Sequence, residues 1–307
     1  MIVGGFNDLG KVEIIDPLDN SANFPMTINY PKSHEFEVFS DILAVTIKED
    51  FILLCNSRGE KQCFTFDNKE LKQVGILGFY ERQFASAVTI NDSFVWITGG
   101  LDEYGPLDND KTEVLQIKDD LFKVEEGPDL HPLSLSHHCS IAINESTVLL
   151  IGGKIGYDTL NLIWAYDFVT DRWTWDLPRM NKSREDHSCA TYLNENGELE
   201  VMVIGGYSTE TLDVRNSSEV LLPSKMQGWE LGPELPKALT KHSSVVFQNS
   251  IYVIGGWSDR WSNSPSQQIF RLEIGKAEWI KLEQSLKNYK MGFKALIVPS
   301  HLLLDLF

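Results

Sequence analysis

Five short apolar runs along this chain each close on a glycine doublet: Ile2-Val3-Gly4-Gly5, Trp96-Ile97-Thr98-Gly99-Gly100, Leu150-Ile151-Gly152-Gly153, Val203-Ile204-Gly205-Gly206 and Val253-Ile254-Gly255-Gly256. From the second doublet onward the steps are 53, 53 and 50 residues, and the first gap of 95 is close to two steps. A degenerate copy is therefore expected inside that gap. Val45 to Ser57 set over Val88 to Gly100 supplies it, with Asn56-Ser57 where a doublet belongs. Glycine suits a strand end that leaves with positive φ against a close neighbour, and asparagine is the next best residue for that backbone. A period of about 50 residues is that of propellers and solenoids.

Around each doublet the same four-element phrase recurs, clearest in its last full copy. Ser243 to Phe247 predicts a first strand, Gln248 to Ser250 a tight turn, and Ile251 to Ile254 a second strand. Gln268 to Glu273 and Trp279 to Leu282 predict the third and fourth. All are short and rich in β-branched or aromatic residues, with Gly, Asn, Ser and Pro between them. Four strands per repeat make a propeller blade.

At 307 residues and 42% hydrophobic content the chain can bury an ample core, and the repeat forbids dividing it at the usual domain length. One domain is expected over residues 1–300. His301 to Phe307 aligns with a second strand but lacks a doublet, so 301–307 reads as an extra C-terminal strand or tail. No apolar run approaches the 18 or so residues of a bilayer span, and the opening residues are already repeat rather than a signal segment. A soluble, cytoplasmic chain is the expectation, compatible with a longer natural protein.

Charge and chemistry narrow the function. A net charge of −17 argues against nucleic acid, because phosphate binding needs a basic surface to release counterions. No membrane partner is expected, and the oligomeric state stays open. Cys55, Cys63, Cys139 and Cys189 form no CxxC pair or close cluster and read as free thiols in a reducing compartment. Four glycosylation sequons, at Asn91, Asn144, Asn181 and Asn216, are near what chance supplies and do not establish secretion. His137 and His138 are neighbours, so on a strand they point to opposite faces and do not share a metal. His138, His187 and His242 occupy one repeat position and belong to the repeat rather than to a site. With no Gly-rich phosphate loop, HExxH or G-x-S-x-G present, no catalytic residue, metal or cofactor is assigned.

One copy carries a family resemblance. Ile163 to Met180 (Ile-Trp-Ala-Tyr-Asp-Phe-Val-Thr-Asp-Arg-Trp-Thr-Trp-Asp-Leu-Pro-Arg-Met), then Arg184-Glu185-Asp186-His187-Ser188 and Val203-Ile204-Gly205-Gly206-Tyr207, resembles a kelch repeat. Glu13, Glu113 and Glu219 sit at that family's Glu position, and Trp173, Trp229 and Trp279 at its Trp position. The resemblance covers essentially residues 1–300. It implies an all-β, six-bladed kelch-type β-propeller with four antiparallel strands per blade, A innermost to D outermost. Strand A falls near 41–47, 84–90, 138–143, 187–193, 242–247 and 293–298, and the last of these joins the N-terminal blade to close the ring.

In such a fold the loops carry recognition. The resemblance points to the loops after each doublet and those entering each strand A. The first set holds Phe6, Arg58, Tyr104, Tyr157, Tyr207, Trp257, Arg260 and Trp261, and the second Tyr80, Arg82, Arg184 and Tyr289. Aromatics and arginines are the types enriched in binding hot spots. The partner-binding set is Arg58, Tyr80, Arg82, Tyr104, Tyr157, Arg184, Tyr207, Trp257, Arg260 and Trp261. The expected function is non-enzymatic binding of a partner protein or peptide, in the setting of a ubiquitin-ligase adaptor or the cytoskeleton. The alternative is a sugar-acting, sialic-acid mutarotase-like kelch enzyme, or a small-molecule or carbohydrate binder in the channel.

Overall fold

A strand buried on one face alternates along its length, whereas one sandwiched between sheets reads as a continuous apolar run. Both kinds recur here. Ser86–Ile90 alternates buried and half-buried positions, while all of Ser250–Ile254 is buried. The structure, a computed structural model, describes residues 134–259 without a break and, outside that stretch, 2–3, 11–15, 23–27, 42–47, 51–56, 62–67, 70–76, 82–92, 94–102, 105–106, 111–118, 121–130, 265–287 and 293–298. Every regular element among them is a strand.

Among the described residues the strands form six four-stranded antiparallel sheets, with three smaller ones in the connecting loops. In A to D order the second is Ile42–Ile47, Phe51–Asn56, Gln62–Asp67 and Glu70–Ile76, and the third Ser86–Ile90, Phe94–Thr98, Glu113–Lys118 and Leu121–Glu126. The fourth is Cys139–Ala142, Thr147–Ile151, Ile163–Asp167 and Arg172–Thr174. The fifth is Ser188–Leu193, Leu199–Ile204, Ser218–Leu221 and Trp229–Leu231, and the sixth Ser243–Phe247, Ser250–Ile254, Gln268–Glu273 and Ile280–Ser285. The first sheet draws on both ends of the chain. Ile2–Val3, Lys11–Ile15 and Asn23–Thr27 are joined by Ala295–Leu296, with Ile2 opposite Leu296 and Val3 opposite Ala295.

Apolar cores lie between successive sheets. Val45, Leu53, Val95 and Ile97 join the second to the third, and Trp96, Leu150, Trp164 and Tyr166 the third to the fourth. Leu149, Ala165, Val201 and Val203 join the fourth to the fifth, and Met202, Ile204, Ile251 and Phe270 the fifth to the sixth. Tyr252, Ile254, Phe293 and Ile15 join the sixth to the first. The A strands follow one another in the same order and are tied by side chains. Thr46 Oγ1 donates to the Ile297 carbonyl and Thr89 Oγ1 to that of Thr46. Ser140 Oγ bonds Ser86 Oγ, Ser244 Oγ donates to the Cys189 carbonyl, and the Ala295 amide to Ser243 Oγ.

The glycine doublets earn their place in this packing. At Gly205 φ is 61° and a Cβ would land on the Leu239 carbonyl oxygen and within 2.8 Å of His242 Cε1 in the next sheet. Gly206, at φ 97°, would press on His187 Cβ at 2.8 Å. Each recurring histidine is thus wedged between two doublets, which explains why histidine and glycine repeat together.

The cysteine expectation is corrected. Cys55 and Cys63 stand opposite each other on neighbouring strands of the second sheet, 4.1 Å apart at Cα, and form a disulfide. Cys139 and Cys189 form another, linking the A strands of the fourth and fifth sheets across 6.2 Å at Cα. Sequence separations of 8 and 50 match no motif. Strand register and the repeat period bring these thiols together. The expected element at 301–307 lies outside the described residues.

Candidate functional site

Three of the residues expected to face a partner are inside the protein. Arg82 is 1% exposed, Arg184 0% and Tyr207 4%. This is a correction, and its reason is a buried ion pair repeated in two sheets. Arg184 Nη2 lies 2.7 Å from Glu219 Oε1, and Nη1 donates to the carbonyls of Gly205 at 2.7 Å and Ser217 at 3.0 Å. Arg82 Nε lies 2.7 Å from Glu113 Oε2, with Nη1 and Nη2 donating to the carbonyls of Gly99 and Lys111. Both guanidiniums therefore hold a doublet carbonyl to the Glu of their own sheet. Tyr207 pairs by its backbone with Glu185, its amide and carbonyl both engaged. Arg58, Tyr80, Tyr104, Arg260 and Trp261 lie outside the described residues, as do Phe6 and Tyr289.

Two expected residues do reach the surface. Trp257 is half-buried, its backbone paired with Thr240. Tyr157 is 92% exposed at the tip of a hairpin, Lys154–Ile155 to Asp158–Thr159. Beside it stands the hairpin Tyr207–Ser208 to Asp213–Val214, carrying Leu212 at 74% exposure. The two hairpins are riveted together. Thr159 Oγ1 and Thr209 Oγ1 are 2.8 Å apart, each also accepts the other residue's amide, and Thr209 Oγ1 donates to the Tyr157 carbonyl at 2.9 Å. Leu212 has φ 55°, a left-handed conformation that costs a side-chain-bearing residue about 1–2 kcal/mol.

The residue entering each A strand builds a second part of this face. Phe84, His137, Asp186 and Lys241 all have φ between 52° and 57°. They are laced by backbone bonds: His137 amide to Phe84 carbonyl, Asp186 amide to His137 carbonyl, Lys241 amide to Asp186 carbonyl. Phe84 stacks on the His137 ring at 4.0 Å, Lys241 Nζ lies 4.9 Å from the Phe84 ring centre, and Lys241 approaches Asp186 to 3.9 Å. With Phe293 and Lys294 they rim a cavity of 80 Å³ where the A strands converge. Beneath the rim, burial drives His138 down to about 3 and His242 to about 4, and His187 well below its ordinary value, so all three are neutral at neutral pH. His187 lies near the Arg184 carbonyl and His242 near the Ile204 carbonyl, neither with the alignment of a good hydrogen bond. Among the described residues no three His, Cys, Asp or Glu side chains are grouped to hold a metal.

Sequence reasoning missed Leu212, Thr159 and Thr209, and it set His137 aside. One signal was available. Phe84, His137, Asp186 and Lys241 hold the same repeat position, directly before the inner strand, with four different chemistries. A position whose geometry repeats while its chemistry does not is free to serve something other than the fold.

Six sheets radiating from neighbouring A strands, with turns on both sides, define the β-propeller class. Residues 136–174 and 238–284 match the family model of the Kelch motif. Kelch motifs therefore span the fourth and the sixth sheets. A solved structure titled "Structure of YjhT" is similar in fold, with a TM-score of 0.55 and 16% identity over 68% of this chain and 67% of that one.

Proposed function

We propose that the six sheets are the blades of a closed six-bladed ring and that the face carrying Tyr157 and Leu212 binds a partner protein or peptide. The pairing of Ile2–Val3 with Ala295–Leu296, the hydrogen bonds between neighbouring A strands and the Cys139–Cys189 disulfide between the fourth and fifth support the ring. One observation carries the binding reading: two cross-braced hairpins hold a tyrosine and a strained leucine out in water. Exposed apolar tips on a rigid base lose little side-chain and loop entropy on binding, which is what hot-spot residues require. A ubiquitin-ligase adaptor or a cytoskeletal binder would use such a face. A sugar-acting enzyme is less favoured, because the 80 Å³ cavity at the channel mouth is small beside ligand pockets of roughly 300–1,000 Å³.

The test is affinity capture from the native cell extract with the wild-type chain and with Tyr157→Ala/Leu212→Gly. The double variant is expected to lose a protein that the wild type retains. Glycine at position 212 relieves the left-handed strain, so its unfolding free energy should hold steady or rise by up to about 1 kcal/mol. Equal capture by both chains, or capture of nothing specific by either, sinks the reading.

A further inference from the structure

The fifth and sixth sheets do not fill the space between them as the third and fourth do. An offset of 106 residues superimposes the two pairs in the repeat: Phe94 falls on Glu200, Trp96 on Met202, Val114 on Val220, Tyr166 on Leu272, Phe168 on Ile274 and Trp173 on Trp279. Between the third and fourth sheets these positions form an aromatic stack. Phe94 meets Phe168 at 4.9 Å, Trp96 meets Phe168 at 5.1 Å and Tyr166 at 5.5 Å, and Tyr166 meets Trp173 at 5.0 Å. Between the fifth and sixth, four of those rings are replaced by smaller or unbranched side chains. The outermost anchor is unchanged in kind, since Trp279 Nε1 donates to the Pro233 carbonyl as Trp173 Nε1 does to that of Asp129. The sheets are therefore held apart at the same place while the filling is thinner. Tyr192 turns its hydroxyl to Glu200 and recovers only part of the volume.

What results is an open groove of 350 Å³ on the side of the A–B and C–D turns, away from the channel mouth. Its floor is apolar, from Met202, Val220, Leu272 and Ile274, and Leu231 stands on its lip at 73% exposure. Its rim is acidic. Glu195 reaches from the turn of the fifth sheet to lie against Gly275 in the sixth, Glu200 occupies the inner wall, and exposed Glu230 closes the outer edge, against one lysine, Lys276. The volume lies inside the roughly 300–1,000 Å³ range of ligand sites, and an apolar slot ringed by carboxylates complements a group that is bulky, apolar and next to a positive charge.

We propose that this groove is a second docking site, separate from the loop face, for a partner segment that presents an aromatic side chain beside a lysine or arginine. The aromatic ring replaces the filling that the repeat supplies between the third and fourth sheets, and the cation meets Glu195, Glu200 and Glu230.

The experiment titrates the full chain with three probes, N-acetyl-Trp-Lys-amide, N-acetyl-Trp-Glu-amide and N-acetyl-Ala-Lys-amide, following backbone amide shifts by NMR. Saturable shifts at Leu231, Gly275 and Lys276 are expected with the Trp-Lys probe. Binding of the other two should be weaker by about threefold to tenfold at low salt, the range set by exposed ion pairs and one apolar anchor. Met202→Trp restores the missing ring and should abolish binding. Glu230→Lys, an exposed change that leaves the core untouched, should weaken the Trp-Lys probe and favour Trp-Glu, so the proposal stays testable if the first variant folds poorly. Absence of saturable shifts at millimolar probe, or binding that survives both variants, overturns it. Equal affinity for all three probes also overturns it, and so does a concentration-dependent dimer abolished by Met202→Trp, which would make a second copy the occupant.

Discussion

Replacing Arg184 with methionine should be among the most damaging single changes in this protein, and its cost can be worked from the contacts. The guanidinium is fully buried, so its loss does not simply return two ions to water. It strands Glu219, also fully buried, with three neutral donors: the Asn181 amide at 2.6 Å, Asn181 Nδ2 at 2.9 Å and the Lys182 amide at 3.1 Å. It also removes the guanidinium donor from the Gly205 carbonyl and leaves that of Ser217 with only the Gly205 amide. Removing one partner of a buried pair typically costs about 3–5 kcal/mol, against the roughly 0–1 kcal/mol of an exposed pair. Since single domains are stable by about 5–15 kcal/mol, Arg184→Met should remove at least about a fifth of the total.

Urea unfolding of the wild type, Arg184→Met, Glu219→Gln and the double variant provides the measurement, with an unchanged denaturant slope as the check that the transition remains cooperative. The double variant should be more stable than Arg184→Met by about 2 kcal/mol, because glutamine keeps an acceptor for the Asn181 and Lys182 amides but leaves no buried charge. A cost for Arg184→Met below about 1 kcal/mol, the value of a solvated pair, would refute the reasoning. So would a double variant no better than the single one. Arg82 and Glu113 repeat the geometry one hundred or so residues earlier, also at 2.7 Å and zero exposure, and should give the same pattern.

The buried histidines make stability fall with acid. Their native pKa values are depressed, so below about 6.5 the unfolded chain takes up protons that the native state refuses, and each histidine costs about 1.4 kcal/mol per pH unit until its native value is reached. For His138 and His242 that window runs from 6.5 down to about 3 and about 4. Urea unfolding at pH 7.5 and 5.5 should show the loss, with His242→Gln reducing the slope by about a third of the three-histidine contribution; identical slopes would count against it. Titration of thiols in denaturant without reductant should find none free, and four reactive thiols would overturn both disulfides. The Cys139–Cys189 bond closes a 50-residue separation and contributes about 4 kcal/mol on the chain-entropy account.

The sheets were legible in the sequence because the repeat multiplies weak signals. A single strand such as Ser243–Phe247 is an ordinary apolar run, but the same phrase recurring at a fixed step located the four strands of the sixth sheet to within three residues at their ends. The candidate site was less legible for a physical reason. Residue type alone does not say which way a side chain points on a loop, and Arg184 and Tyr157 were expected on the same face, yet one is fully buried and the other 92% exposed. Glu219 was recognised as a repeat position, but what it neutralises depends on a contact across 35 residues. The cysteine pairs failed in the same way, since Cys139 and Cys189 meet only because neighbouring A strands run side by side.

A repeat fold gives each position a default, and departures from the default carry the information about function. Where the A strands converge the backbone geometry is kept and the side chains diverge: four residues with φ near 55° are Phe84, His137, Asp186 and Lys241, where glycine would be the relaxed choice. Each therefore sustains about 1–2 kcal/mol of backbone strain to keep a side chain that no neighbouring sheet repeats. Leu212 does the same on the hairpin next to Tyr157. Burial compensates such strain in a core, but Leu212 is 74% exposed and gains nothing of that kind from its own fold. On the binding reading proposed above, a partner that covers Leu212 supplies that compensation, so the strained residues of this face, rather than its buried arginines, are the ones to substitute in testing it.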